Sequence, residues 1–302
     1  MRPARFGAVI TAMVTPFAAD GSLDVDAAVQ LARWLTANGS DGLVLAGTTG
    51  EGPVLSTSEA RELWRAVAAG VDVPVIAGTG TNDTRHSIEL TKIAASCGVD
   101  AVLVVTPYYN RPSQDGLFAH FSAVAAATSL PVVLYDIPVR SGRRIAHTTM
   151  LRLLDAVPNI VAVKDATGDP AGSARLLSQA PERFELYSGD DSLTLPLLAL
   201  GGVGIISVCA HWAGREMHDM VDAALKGDLE TAARLNGKLV ESYDFESTEA
   251  FPNPLPAKAA CRALGLPVGQ CRLPLGDAPP ELEGEARRVL ARLDAAAQRS
   301  AS

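Results

Sequence analysis

The chain has 302 residues, 48% of them hydrophobic and 20% charged, with a net charge of −8 and a pI near 5.2. Its length suits one large α/β barrel as well as two modest domains, and its mean hydropathy of +0.16 is that of a globular rather than a disordered protein. An acidic chain is not drawn to nucleic-acid phosphates or anionic lipid, and no run reaches the ~18 apolar residues of a membrane span, so a cytoplasmic protein without nucleic-acid or membrane partners is expected.

The N-terminal MRPARFGAVITAMVTPF carries two early arginines before an apolar run. The run is short and no small-residue cleavage site follows it, so it reads as a first strand, AVITAMV (8–14), rather than a signal peptide. Seven further runs follow: DGLVLAG (41–47), VPVIAGT (73–79), DAVLVVT (100–106), PVVLYDI (131–137), NIVAVKD (159–165), FELYSGD (184–190) and GVGIISV (202–208). Continuous apolar runs, rather than strict alternation, suit parallel strands covered on both faces.

Between the runs lie segments with helical spacing, such as DVDAAVQLARWLTAN, NDTRHSIELTKIAAS and GREMHDMVDAAL. In STSEARELWRAV (56–67), Ser56 or Ser58 is placed to cap and Glu59 falls in the first turn. Eight strand-then-helix units are what a (β/α)8 TIM barrel requires; a doubly wound open sheet is the rival, and eight similar units filling about 225 residues favour closure. After Gly227 only helical patterns remain, in DLETAARLNGKLVES, LPAKAACRALG and PELEGEARRVLARLDAAAQ. The expected organisation is a barrel over residues 1–227 and a small C-terminal helical domain over 228–302. Cys97, Cys209, Cys261 and Cys271 form no C-x-x-C pair, which points to buried thiols rather than a disulfide framework or a zinc site.

In such barrels the chemistry sits where strands end and βα loops begin. There NIVAVKDAT (159–167) places Lys164, a group seldom buried without a partner. It either pairs with Asp165 or reaches solvent, or it is a desolvated amine, neutral often enough to attack a carbonyl and form a Schiff base. Other strand ends supply company: GTTGE (47–51) offers hydroxyls and N–H groups suited to a small carboxylate, Tyr135 a phenol able to move protons, and Arg140 a fork for a second carboxylate. The plainer readings are a capped turn for the first and a surface ion pair for the last.

Taken together, GTTGE, VIAGTGTNDT, VTPYYNRPSQ, YDIPVRSG, VAVKDATGD, YSGDD and GVGIISV, in this order, resemble the dihydrodipicolinate synthase family, within the class I aldolases that include N-acetylneuraminate lyase. The resemblance implies a (β/α)8 barrel with a helical C-terminal domain, assembled as a homotetramer of two tight dimers. It implies a cofactor-free and metal-free condensation of pyruvate with L-aspartate semialdehyde, an aldehyde, in diaminopimelate and lysine biosynthesis. Lys164 then forms the imine, and Tyr135, Thr48 and Tyr109 match the proton-relay triad, Tyr109 reaching into a neighbouring protomer's site. Thr49 matches the residue holding the pyruvate carboxylate, Arg140 the one receiving the carboxylate of the aldehyde substrate, and Gly189 and Ile206 positions whose carbonyls line the site. Val139 stands where the family commonly has glycine, and a β-branched residue stiffens that loop.

Arg140 separates this reading from a sister aldolase or lyase acting on a sugar acid, whose polyol aldehyde calls for hydroxyl-binding groups. At the positions of the family's inter-subunit lysine pocket stand Gly52, Pro53, Thr57, Ala60, Asn82, His86 and Tyr108, so weak or absent inhibition by lysine is expected. A pyridoxal phosphate barrel would use GGVG (201–204) as its phosphate loop, whereas a pyruvate aldolase needs no coloured cofactor. The five histidines, His86, His120, His147, His211 and His218, are too scattered for a metal-dependent aldolase. GTG (78–80) is followed by Asp83 where a dinucleotide fingerprint needs glycine. A catalytically silent keto-acid or amino-acid sensor is disfavoured because the lysine, both threonines and both tyrosines are all present.

Overall fold

The computed structural model describes residues 4–301, with side chains as far as Leu293. Each of the eight apolar runs contributes one strand: β1 (Val9–Ala12), β2 (Gly42–Leu45), β3 (Val75–Gly78), β4 (Ala101–Val105), β5 (Val132–Asp136), β6 (Ile160–Asp165), β7 (Glu185–Ser188) and β8 (Gly204–Ser207). The strands pair in chain order, all parallel, and β8 returns to β1 through Val9 opposite Ile205, closing the cylinder. The runs are continuous because both faces are covered. Ile10, Val44, Ile76, Leu103, Val133, Ala162 and Ile206 fill the lumen. Val9, Leu43, Leu45, Val102, Val104, Leu134, Val163 and Leu186 pack outward into the barrel–helix layer.

The surrounding helices are α1 (Val25–Ala37), α2 (Thr57–Ala68), α3 (Thr84–Ala95), α4 (Gln114–Ala125), α5 (Pro138–Ser141), α6 (His147–Ala156), α7 (Pro170–Leu177), α8 (Thr194–Ala199) and α9 (Ala210–Leu225). Ser56 is the cap of α2, and its hydroxyl and the Glu59 carboxylate satisfy each other's backbone N–H in a capping box. Leu63, Trp64 and Val67 on the inward face of that helix are fully buried. At about 1.5–3 kcal/mol for each large apolar side chain removed from water, such faces hold the helical layer to the barrel. Helix α9 starts four residues earlier than the GREMHDMVDAAL pattern and breaks at Ala213 (φ −122, ψ 30). There the chain approaches α1 so closely that a Cβ on Gly214 would lie 2.3 Å from the Asn38 carbonyl oxygen.

Three helices follow Gly227: α10 (Leu229–Glu246), α11 (Leu255–Ala263) and α12 (Pro280–Ala301). Helix α10 lies along α9, while α11 packs on α9 and α12. The segment joining α10 to α11 brings Asn253 to the barrel mouth. Among the described residues no helix is long and apolar enough to cross a membrane.

Candidate active site

An irregularity in β6 positions the reactive pair. Val132 of β5 pairs with Ile160 but Val133 with Ala162, so β6 carries one extra residue there. Beyond that bulge Tyr135 faces Lys164 on the neighbouring strand. Alternation along β6 then sends Lys164 into the lumen and Asp165 outward, where Asp165 accepts hydrogen bonds from the Ser173 hydroxyl (2.5 Å) and the Thr167 N–H (2.9 Å). Lys164 therefore does not pair with Asp165.

Lys164 is only 4% exposed, and its Nζ lies 4.5 Å from the centroid of the Tyr135 ring. Burial disfavours the ammonium and brings its pKa down to about 8, although the Asp191 carboxylate pulls the other way. The Tyr135 phenol is pushed up to about 12, chiefly by burial, with the Arg140 charge and the Thr48 side chain acting in the opposite sense. At neutral pH it is a proton donor beside an amine that loses its own proton easily. Gly189 is required by space: a Cβ there would stand 2.9 Å from Lys164 Cγ and 3.0 Å from Ala166 Cβ. Ile206 lies in β8 on the lumen side.

The GTTGE turn is held in a conformation few residues adopt. Ala46 and Glu51 both have φ +54, in the left-handed region. Between them Thr49 is buried, and its Oγ1 accepts a hydrogen bond from Asn253 Nδ2 at 2.8 Å. Arg140 lies in the single turn of α5, which Gly142 ends at φ +69. Val139 is a helical residue of that turn and exposed, so its β-branch neither clashes nor needs glycine's freedom. The Arg140 guanidinium stands at the mouth and acts electrostatically on both Tyr135 and Lys164.

Tyr109 is set apart from these groups. It is 90% exposed with φ +73, and Arg111, two residues on, has φ +46. The loop is pinned on both sides, by Asn110 Nδ2 to the Asn82 carbonyl (2.8 Å) and Arg111 Nε to the Gly142 carbonyl (2.9 Å). A large aromatic ring is thus displayed to the exterior by a fastened, strained loop.

A cavity of about 520 Å³ opens at the mouth, walled by Thr48, Tyr135, Arg140 and Asn253 on one side and by Pro53, Asn82, His86 and Tyr108 further out. Tyr135 belongs to its wall and Lys164 does not. Two of the histidines have partners away from the reactive pair. His211 Nε2 accepts the Val14 N–H (3.0 Å) and its Nδ1 contacts the Val208 carbonyl (2.7 Å), so it is the neutral Nδ1–H tautomer, with burial lowering its pKa to about 4. His218 lies 3.7 Å from Asp41 at the far side of α9.

Three groups escaped the sequence reading: Asn253, which bonds Thr49, and Asp191 and Glu246, whose carboxyls act electrostatically on Lys164. Asp191 was within the YSGDD motif and available to it; Asn253 and Glu246 come from the C-terminal helical region and carry no local mark.

The chain is similar to known proteins over nearly its whole length. The Dihydrodipicolinate synthetase family model matches residues 5–293. A 4-hydroxy-tetrahydrodipicolinate synthase of Moorella thermoacetica is 53% identical over 279 residues, covering 92% of this chain and 94% of the relative. That of Bacillus subtilis is 48% identical, covering 89% and 93%. Among solved structures, a dihydrodipicolinate synthase of Bacillus anthracis superposes with a TM-score of 0.91 at 44% identity, over 95% of this chain and 98% of that one. One from Cyanidioschyzon merolae with lysine bound gives 0.92 at 44% identity, over 96% and 98%.

Proposed function

Because the chain belongs to the dihydrodipicolinate synthetase family, we propose that the Lys164–Tyr135 pair at the barrel mouth is the centre of its reaction. That reaction is the condensation of pyruvate with L-aspartate semialdehyde through a lysine Schiff base, as in 4-hydroxy-tetrahydrodipicolinate synthases. The observation carrying the assignment of roles is the buried Lys164 amine lying 4.5 Å from the ring of a phenol on the adjacent strand.

Lys164 attacks the keto carbon of pyruvate, and loss of water leaves an iminium. Loss of a methyl proton gives an enamine, whose terminal carbon adds to the aldehyde. The amino group of the second substrate then attacks the imine carbon and displaces Lys164, so that one water leaves per turnover and the amine is regenerated. Tyr135, backed by Thr48, moves the protons of imine formation and of the amine exchange that releases Lys164. Thr49, oriented by Asn253, holds the pyruvate carboxylate; Gly189 and Ile206 shape the pocket around it. Arg140 receives the carboxylate of the aldehyde substrate.

Tyr109, displayed outward, serves a neighbouring protomer's relay, which makes the working unit at least a dimer, within a tetramer of two such dimers. The enzyme is assigned to the cytoplasm as a biosynthetic protein. A sister reading, aldol cleavage of a sugar acid, uses the same lysine and phenol.

The test combines trapping with turnover. Incubation with pyruvate and borohydride should leave a reduced three-carbon adduct on Lys164, located by mass spectrometry, and condensation with L-aspartate semialdehyde should proceed where sialic acid is not cleaved. An unmodified Lys164 ends the imine assignment; turnover of the sugar acid alone ends the synthase reading.

A further inference from the structure

On the β7/β8 side of Lys164, three groups from three elements meet. Asp191 opens the helical turn Asp191–Leu193 after β7 and is buried; its Oδ1 accepts the Ser207 hydroxyl and its Oδ2 the Val208 N–H at 2.9 Å. Cys209 follows β8. Glu246, the last residue of α10, turns its carboxyl inward. One ligand atom from each, a carboxyl oxygen of Asp191 and of Glu246 and the Cys209 sulfur, all lie within 4.8 Å of one another. The two carboxyl groups thus face each other, and the buried Oε2 of Glu246 has no hydrogen-bond partner among the described residues.

Two carboxylates possess only acceptors, so a hydrogen bond between them needs a proton on one. Asp191 is already served by two donors suited to an anion, while the buried Oε2 of Glu246 is served by none among the described residues. We infer that Glu246 is a neutral carboxylic acid that donates its proton to Asp191, and that this singly charged pair is the fixed counter-charge to the cationic states of Lys164, its ammonium and its iminium. The inference rests on the reading of Lys164 as the imine-forming amine. Glu246 is then a positioning residue, acting through Asp191.

The single charge is what the reaction requires. A doubly charged pair would hold Lys164 as ammonium and suppress attack on the keto acid; a neutral pair would leave the buried iminium without compensation. Burial, and after it the Asp191 charge, raise the Glu246 pKa well above the carboxylate range, and of the two carboxyls Asp191 acts more strongly on Lys164. The other ionisable groups facing the pair are Asp190 on the same turn, Cys209, Tyr243 on α10, Tyr135 on β5, Arg140 on α5 and His211 on α9. Burial raises Cys209 and Tyr243 and lowers His211, keeping all three neutral near pH 7.

Two measurements on the full chain decide the matter, and neither uses pyruvate, so failure of the imine assignment is seen separately in the trapping experiment. Infrared difference spectra at pH 8 should show the carbonyl stretch of a protonated carboxylic acid in the wild type and its loss in Glu246→Gln. Competitive acetylation of Lys164 across pH, read by mass spectrometry, should give the same titration midpoint in Glu246→Gln, whose amide still donates to Asp191. In Asp191→Asn the midpoint should fall by about one unit or more, as when a neighbouring opposite charge is removed. Absence of the carboxylic acid band overturns the inference, as does a Glu246→Gln midpoint that falls as Asp191→Asn is expected to. Binding of Zn²⁺ or Mn²⁺ by the wild type and its loss in Glu246→Gln overturns it too, since a metal would take the proton's place. Should Asp191→Asn not fold, the spectrum and the Glu246→Gln titration suffice.

Discussion

Lys258 Nζ of α11 lies 2.7 Å from Glu51 Oε1 of the GTTGE turn, and both side chains are at most 2% exposed. The contact is a close ion pair without a well-aligned hydrogen bond to that oxygen. Lys258 also donates to the Gln270 carbonyl at 2.8 Å and stands over the Phe17 ring, while Glu51 Oε2 accepts the Arg272 N–H at 2.9 Å. Through this pair the C-terminal helices clamp the strained turn that presents Thr48 and Thr49.

Lys258→Met should therefore cost stability and binding together. Removing one member of a buried pair leaves the other charge uncompensated, at about 3–5 kcal/mol. Urea unfolding measures that loss. In the surviving folded enzyme the KM for pyruvate should rise more than kcat falls, and the double variant Lys258→Met/Glu51→Gln should regain part of the stability. A single variant as stable as the wild type would show that the clamp is dispensable.

Acidity should control imine formation through Lys164. With the folded pKa near 8 against an ordinary 10.5, the rate of borohydride-trapped adduct at limiting pyruvate should climb about tenfold per pH unit below 8 and level off above it. For stability the sign follows from proton uptake: between 8 and 10.5 the unfolded chain binds a proton that the folded chain does not. This lysine's penalty is thus fully present below 8 and vanishes as pH rises through 10.5, a change of about 3 kcal/mol at most. The stability difference between the wild type and Lys164→Met should shift by that amount in favour of the wild type as pH rises across the window, and parallel curves would contradict the lowered pKa.

Arg140→Ala should separate the two substrates. Pyruvate trapping on Lys164 should keep its extent, while the KM for L-aspartate semialdehyde rises by about 10–100-fold, the loss expected for one charge-assisted contact of about 1.5–3 kcal/mol. Arg140→Lys should recover only part, because an ammonium cannot form the paired contact. Equal effects on both substrates would remove Arg140 from the aldehyde site.

Lysine should be a poor inhibitor. The outer part of the mouth cavity is walled by Gly52, Pro53, Ala60, Asn82, His86 and Tyr108, with Asp83 as its carboxylate beside Glu51, itself engaged by Lys258. Half-inhibition by submillimolar L-lysine in a steady-state assay would contradict this expectation.

Much of the architecture was legible because two-sided burial writes itself into the chain as unbroken apolar runs, and because strand ends in a closed barrel converge whatever the loops contain. That reasoning reached Lys164, Tyr135 and the GTTGE turn from position alone, and the Ser56 cap from its partner Glu59. It did not reach Asn253, which bonds Thr49 across 204 residues of sequence, nor Glu246, which caps nothing and interrupts no pattern. Such contacts are made by packing of α10 and α11 over the mouth, and no local periodicity records them. Val139 suggested a stiffened loop; the short helix around Arg140 shows that the backbone there is one any residue adopts. Residue type alone likewise gave no sign that Tyr109 is fixed facing outward.

In the dipeptide Lys164–Asp165 the amine serves the interior while the carboxylate fastens the strand to α7 through Ser173. A slip of one position along β5 would exchange them, putting an acid among the reacting atoms and a cation where a hydroxyl expects an acceptor. Insertions or deletions in this stretch should therefore be survivable in the crossover around α6 but lethal to activity within the six residues of β6, a boundary that a scan of single-codon deletions would trace.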